Sequence, residues 1–180
     1  IDRLDYAGDA PVFSALDTSG NGPFVPGDYQ PAAFYDAPRD RILTACGINR
    51  RWRNHCNLRE VDPETGLVSP VETLGEEPPG RGGFFWAHDV QNERLVVFGG
   101  DGGGTPGCNC RDDTWALELS ETPPRWVRLD VGEPPQGRRN GAYVYDPVGQ
   151  RMFMWGGTPN GMVTAPGLFA LDLERGAERW

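Results

Sequence analysis

Two histidines and four cysteines are the side chains of this 180-residue chain best suited to metal or thiol chemistry. His55-Cys56 and Cys108-Asn109-Cys110 fall in matching loops of neighbouring repeats and can approach one another. A set of three cysteines and one histidine would hold zinc tetrahedrally. Their spacing matches no standard zinc motif, however, and Cys-x-Cys is common without metal. A disulfide is the better reading: Cys46 and Cys56 could bridge the base of their own loop, with the connectivity left open by spacing alone. Asp101 and the glycines that follow it, with Asp112 and Asp113 nearby, offer carboxylate and backbone oxygens for calcium. That segment lacks a calcium-loop consensus and reads as a mobile Gly-rich loop. It is no phosphate loop either, since no lysine or helix follows. No Ser-His-Asp set converges on one loop. The sequence therefore assigns no catalytic residue, no metal ligand and no cofactor.

The elements that position these residues are written three times. AAFYDAPRDRILTACG, FFWAHDVQNERLVVFGG and AYVYDPVGQRMFMWGG align without a gap from the aspartate onward. Asp36, Asp89 and Asp146, spaced by 53 and 57 residues, each lead to an arginine five positions later (Arg41, Arg94, Arg151). A period near fifty with paired glycines marks a radial repeat, in which each small sheet needs its neighbours to bury its faces. In the second copy the strands read as 84–88, 94–98, 114–119 and 125–129, an antiparallel meander. The second strand is apolar at nearly every position (Leu95, Val96, Val97, Phe98), as expected of a sheet covered on both sides. The aspartate and arginine flank a turn and can pair across it, a structural role. His88 has Tyr35 and Tyr145 as counterparts, so its position asks for a ring with a polar edge and leaves the catalytic list. Matching by residue type equates Leu58 with Trp115 and Phe169, and the segment from Val71 with those from Trp126 and Phe13. The predicted boundaries are the end of a preceding blade at 1–27, full blades at 28–80 and 81–137, and an incomplete blade at 138–180.

Composition narrows the function. A net charge of −9 argues against nucleic acid or an anionic membrane as the main partner. No stretch approaches the ~18–20 apolar residues of a membrane span. Opening at Ile1, the chain is expected to have lost, or never included, an upstream segment. All 17 basic residues are arginine, a habit of GC-rich, bacterial genomes. The even number of cysteines fits an oxidising compartment, hence an exported protein, extracellular or periplasmic.

The Gly-Gly after an apolar strand, the later aromatic pair Trp115 and Trp126, and a Gly-Arg before the next strand resemble kelch repeats. The resemblance covers residues 26–180. It implies an all-β fold, a kelch-type β-propeller with about three four-stranded antiparallel blades present. The first copy departs from the pattern, with Cys46 for the leading glycine, Val71 for the tryptophan and Asp28 for the arginine. Propellers of this family include binding modules, scaffolds and a few enzymes such as copper-radical oxidases and sugar mutarotases, so fold alone does not settle activity.

The resemblance also implies recognition on one face, built from the second-to-third-strand and fourth-to-first-strand loops. Carried over by position, Arg81, Arg138 and Arg139 precede first strands on that face. Arg50, Arg51 and Arg53 flank Trp52 in a second-to-third-strand loop. Arginine offers a planar donor fork for carboxylates, and tryptophan offers contact area at low entropic cost. The competing reading is a solvated loop whose arginines pair with Asp112, Asp113 or Glu76. The expectation is a non-catalytic module recognising another protein or an extracellular glycan. One alternative is the scaffold portion of a propeller enzyme whose active site lies elsewhere, and another is a structural subunit of a larger assembly. Three blades leave two open edges, so further blades from the same chain or a second copy are expected to close the ring.

Overall fold

The computed structural model describes residues 2–5, 12–15, 29–49, 51–104 and 107–180, the first two segments by backbone only. It is all-β. Strands β1 (Asp2–Asp5) and β2 (Val12–Ala15) form a two-stranded sheet. A four-stranded meander follows: β3 (Ala32–Asp36), β4 (Arg41–Ile48), β5 (Asn54–Val61) and β6 (Val68–Val71). A second comprises β7 (Phe85–Asp89), β8 (Arg94–Phe98), β9 (Thr114–Glu118) and β10 (Arg125–Leu129). A third has β11 (Ala142–Asp146), β12 (Arg151–Trp155) and β13 (Leu168–Asp172). All neighbouring strands within the sheets are antiparallel. Beyond β13, Arg179 bridges Asp172 as Arg125 faces Glu118 in the second sheet. This is the partial propeller that the repeat predicts.

Period-two alternation sends successive side chains to opposite faces, and in the second sheet each face meets a neighbouring sheet. Phe34, Leu43, Ala45 and Leu58 of the first sheet pack on Leu95, Val97, Trp115 and Leu117 of the second. Phe85, Val96, Phe98 and Ala116, on the opposite face of that second sheet, pack on Met152, Met154 and Leu171 of the third. Every residue of β8 is buried, which explains its unbroken apolar run.

The backbone repeats as closely as the sequence. Gln30, Gly83 and Asn140 share a left-handed φ of 56°, 63° and 57°. Asp40, Glu93 and Gln150 share 49°, 48° and 48° at the turn after each first strand. Gly100, at φ 89°, is a true glycine requirement: a Cβ there would lie 2.8 Å from that of Phe84 and 3.1 Å from that of Arg81.

The expected Asp–Arg pair forms in two of three copies. Arg41 Nε meets Asp36 at 2.8 Å, and Arg94 Nε meets Asp89 at 2.9 Å. In the third copy Arg151 turns to Asp172 at 3.5 Å, and Asp146 instead accepts the backbone N–H groups of Val148 and Gly149.

Strand register corrects two equivalences expected from residue types. Thr44 faces Arg59, whereas Val97 faces Trp115 and Met154 faces Phe169. Arg59, and not Leu58, therefore occupies the aromatic position. Likewise Val61 faces Val68 as Leu117 faces Trp126, so Val68 stands where the tryptophan was sought at Val71. The displaced segment at Leu74 pairs in parallel with Arg125, laying the end of the first repeat along the outer strand of the second.

Candidate functional site

The loops entering each first strand and leaving each second strand lie at one end of the sheets. At this end Asn49 and residues 51–53 are drawn into a tightly bonded turn. Asn49 Oδ1 accepts the backbone N–H of Arg51 at 2.9 Å and of Arg53 at 3.0 Å, while Trp52 N–H donates to Asn49 O at 2.9 Å. An asparagine in this position closes the loop with its own side chain. The turn places Trp52 at φ 57°, a left-handed conformation unusual for a bulky residue. Trp52 is 75% exposed and stacks on Tyr29 with ring planes 3° apart and centroids at 5.4 Å. Arg51 and Arg53 flank it, exposed, and among the described residues neither has a carboxylate partner. Arg50 lies outside the described residues.

The arginines before the first strands behave differently, and two of them correct the expectation. Arg81 is fully buried: its Nη1 and Nη2 meet the two Asp113 oxygens at 2.8 and 3.1 Å, and Nη1 also donates to Gly99 O at 3.1 Å. Arg138 is also buried, donating to Gln136 O and Gly156 O, with its guanidinium 4.6 Å above the ring of Phe169. Buried at 0% and 3% exposure, these two guanidiniums serve their own blades and present no open surface to a partner. The pairing with Asp113 is the competing reading, fulfilled at Arg81. Arg139 is partly exposed, yet it is tied to Asp101. Of the six candidate residues that are described, Arg51, Trp52 and Arg53 are the ones brought together on an open surface.

Sequence reasoning missed Tyr29, the base of the Trp52 stack, because it lies outside the aligned strand motif. It also missed the cleft of about 400 Å3 between first-strand entries, where Gln30, Asn140, Trp86 and Tyr143 converge. Gln30 and Asn140, at the same place in two repeats, join across Gly83 through an amide hydrogen bond of 3.2 Å.

The cysteines are paired as Cys46–Cys56 and Cys108–Cys110. The first bond sits at the bulge of β4 and locks the 49–53 loop at its base, as the spacing allowed. Asp101 is held internally, accepting the backbone N–H of Gly103 at 2.8 Å and of Asn109 at 3.1 Å besides its pair with Arg139. His88 packs its ring 4.7 Å from that of Phe34, and burial pushes its pKa down.

Fold and loop geometry together define a propeller-type all-β module with one aromatic–arginine surface at its loop end. No protein-family model matches the chain, and no curated protein matches its sequence. Its fold is shared by the solved structure of YjhT, with a TM-score of 0.75 at 16% identity over 99% of this chain. This chain spans 57% of the length of that one.

Proposed function

We propose that this protein is a non-catalytic, kelch-type recognition module that binds a partner protein through the Trp52 loop. The observation that carries this reading is Trp52 itself. A large aromatic side chain is held in a left-handed backbone, stacked on Tyr29 and turned to solvent between two arginines. Strained residues persist only where their surroundings enforce them, and they cluster at sites of function. Tryptophan, tyrosine and arginine are also the residues that dominate binding energy at interfaces. The chemistry of Arg51 and Arg53 favours a partner presenting carboxylates beside an apolar side chain.

The Asp113 carboxylate near this end favours a binding role over catalysis. Burial would raise the Asp113 carboxyl, but hydrogen bonds and charge from Arg81, with a bond from Trp115, hold it below its ordinary range. A carboxylate so paired is poorly placed to shuttle protons. The two disulfides support an exported location.

Selection from a displayed random-peptide library provides the test. Peptides rich in aspartate or glutamate with an aromatic or aliphatic anchor should be enriched, and Trp52→Ala should abolish their binding. Peptides that bind the Trp52→Ala protein equally well would remove the basis for this reading.

A further inference from the structure

The cleft of about 400 Å3 at the loop end takes part of its wall from each of the three repeats, at the chain entries to β3, β7 and β11. Its size falls within the ~300–1,000 Å3 of small-molecule sites. Two aromatic rings line it. Trp86 and Tyr143, the second residues of β7 and β11, have ring centroids 5.9 Å apart and planes inclined at 57°. Trp86 is partly buried against the core, and Tyr143 is 39% exposed.

The polar part of the lining is a pair of side-chain amides placed by one backbone feature. Gln30, Gly83 and Asn140 take the same left-handed φ in successive repeats. The middle residue has no side chain, and the outer two join over it, Gln30 Nε2 donating to Asn140 Oδ1 at 3.2 Å. A Cβ on Gly83 would lie 2.2 Å from Asn140 Oδ1 and 3.3 Å from Gln30 Oε1, so a side chain there would displace the bridge. The bridge uses one N–H and one lone pair, and the two amides retain further donors and acceptors for a ligand. Charged residues make up 24% of the chain, yet among the described residues none lines this cleft.

We propose that this cleft binds an uncharged saccharide, with a sugar ring against Trp86 and Tyr143 and its hydroxyls on the amides of Gln30 and Asn140. The faces of a pyranose carry C–H groups that pack on aromatic rings, and each of its hydroxyls both donates and accepts, as the amides require. A charged ligand would give up its hydration here with no ion partner in the lining. A wholly apolar ligand would strip water from the two amides and return no hydrogen bond. A neutral ring of hydroxyls with an apolar face satisfies both halves of the lining. Trp52 is not part of that lining, so binding here does not depend on recognition by the Trp52 loop.

Isothermal titration and saturation-transfer NMR test the proposal with the methyl glycosides of glucose, galactose, mannose and N-acetylglucosamine and with their short oligomers. At least one should bind at millimolar concentration or below, and the uronic acid of the same sugar about 10-fold or more weakly. Asn140→Gly and Tyr143→Ala install the residues that the second and first repeats carry at those places, Gly83 and Ala33, so the fold should persist, as circular dichroism verifies. Each variant should weaken the saccharide about 10-fold or more. Binding of no panel member would overturn the proposal, as would binding unchanged in both variants or a preference for the uronic acid. If the two variants lost the acidic peptides selected through the Trp52 loop and no saccharide, the cleft would belong to that peptide site and the proposal would fall.

Discussion

Arg81 and Asp113 meet as a two-pronged ion pair inside the second blade, with N–O distances of 2.8 and 3.1 Å. Trp115 Nε1 donates to the same carboxylate at 2.8 Å, and Arg81 also binds Gly99 O and Pro79 O. The arginine comes from the chain entering the first strand and the aspartate from the start of the third. The pair therefore stitches the innermost strand of the blade to its outer half at the loop end. Arg138 shows the alternative solution in the third blade. Gly167 precedes β13 as Asp113 precedes β9, and Phe169 replaces Trp115, so an aromatic face takes the place of the carboxylate and its N–H donor.

Removing one member of this pair should cost much more than an exposed ion pair would. Arg81→Met removes the ion partner of Asp113 and leaves it Trp115 Nε1–H as a donor, and Asp113→Asn leaves Arg81 buried with a neutral partner. Each should lose about 3–5 kcal/mol in urea unfolding, and the double variant less than the sum. A loss of about 1 kcal/mol or less would assign the pair a surface-like role.

The same pair fixes the acid limb of stability. The Asp113 carboxyl is held below its ordinary value of 3.8, so the folded state binds fewer protons than the unfolded one. Its contribution is complete above that value and disappears as pH falls through the lower, folded one. Wild-type stability should drop below about pH 4, and Asp113→Asn, weaker at neutral pH, should show a shallower drop. Parallel acid limbs in the two proteins would contradict this.

Much of the fold was readable because backbone geometry and sequence repeat together. The aspartate, the turn residue four positions on and the arginine after it fix the hairpin, and β8 and β10 fall where their apolar runs predict. The outer strands were harder to place. Matching by residue type drew Val71 onto Trp126, whereas register puts Val68 there, because the first copy carries a bulge at Cys46 and a longer β5. A small valine fills the tryptophan position, and no propensity announces that exchange. The site was half readable for a similar reason. Arg51, Trp52 and Arg53 are adjacent in sequence and share one turn. Arg81 and Asp113 lie 32 residues apart, and only tertiary packing decides whether such an arginine faces solvent or a carboxylate.

His88 should give the protein a second pH dependence, near neutrality. Burial lowers its pKa from the ordinary 6.5, against the opposing pull of Asp36 and Asp89. The neutral ring is therefore preferred in the folded state. Its full contribution is present above pH 6.5 and declines as pH falls through the depressed value. His88→Tyr, which installs the residue of the other two repeats, should flatten stability between about pH 5 and 7. A histidine whose NMR titration gave an ordinary or raised pKa would overturn the sign.

Gly100 and Gly104 separate crowding from backbone strain. Both have positive φ, 89° and 86°, but a Cβ at Gly100 would strike Phe84 and Arg81, whereas at Gly104 nothing lies within 4 Å. Gly104→Ala should cost about 1 kcal/mol, the backbone penalty alone. Gly100→Ala should add the displacement of two side chains and cost about 2–4 kcal/mol. Equal thermal midpoints for the two variants would show that Phe84 and Arg81 do not crowd this glycine.

Trp52 allows stability and recognition to be pulled apart. Its left-handed backbone costs about 1–2 kcal/mol in a non-glycine residue, while stacking on Tyr29 returns about 0.5–1.5 kcal/mol. Trp52→Gly removes both terms, so its unfolding free energy should stay within about 1 kcal/mol of wild type. Trp52→Ala keeps the backbone penalty but loses the stack, and should be the less stable of the two. Peptides selected on the wild-type loop should bind both variants about 10-fold or more weakly, as isothermal titration would measure. If Trp52→Gly bound them unchanged, the exposed ring would be an accident of the turn, and recognition would have to be sought at another part of the loop end.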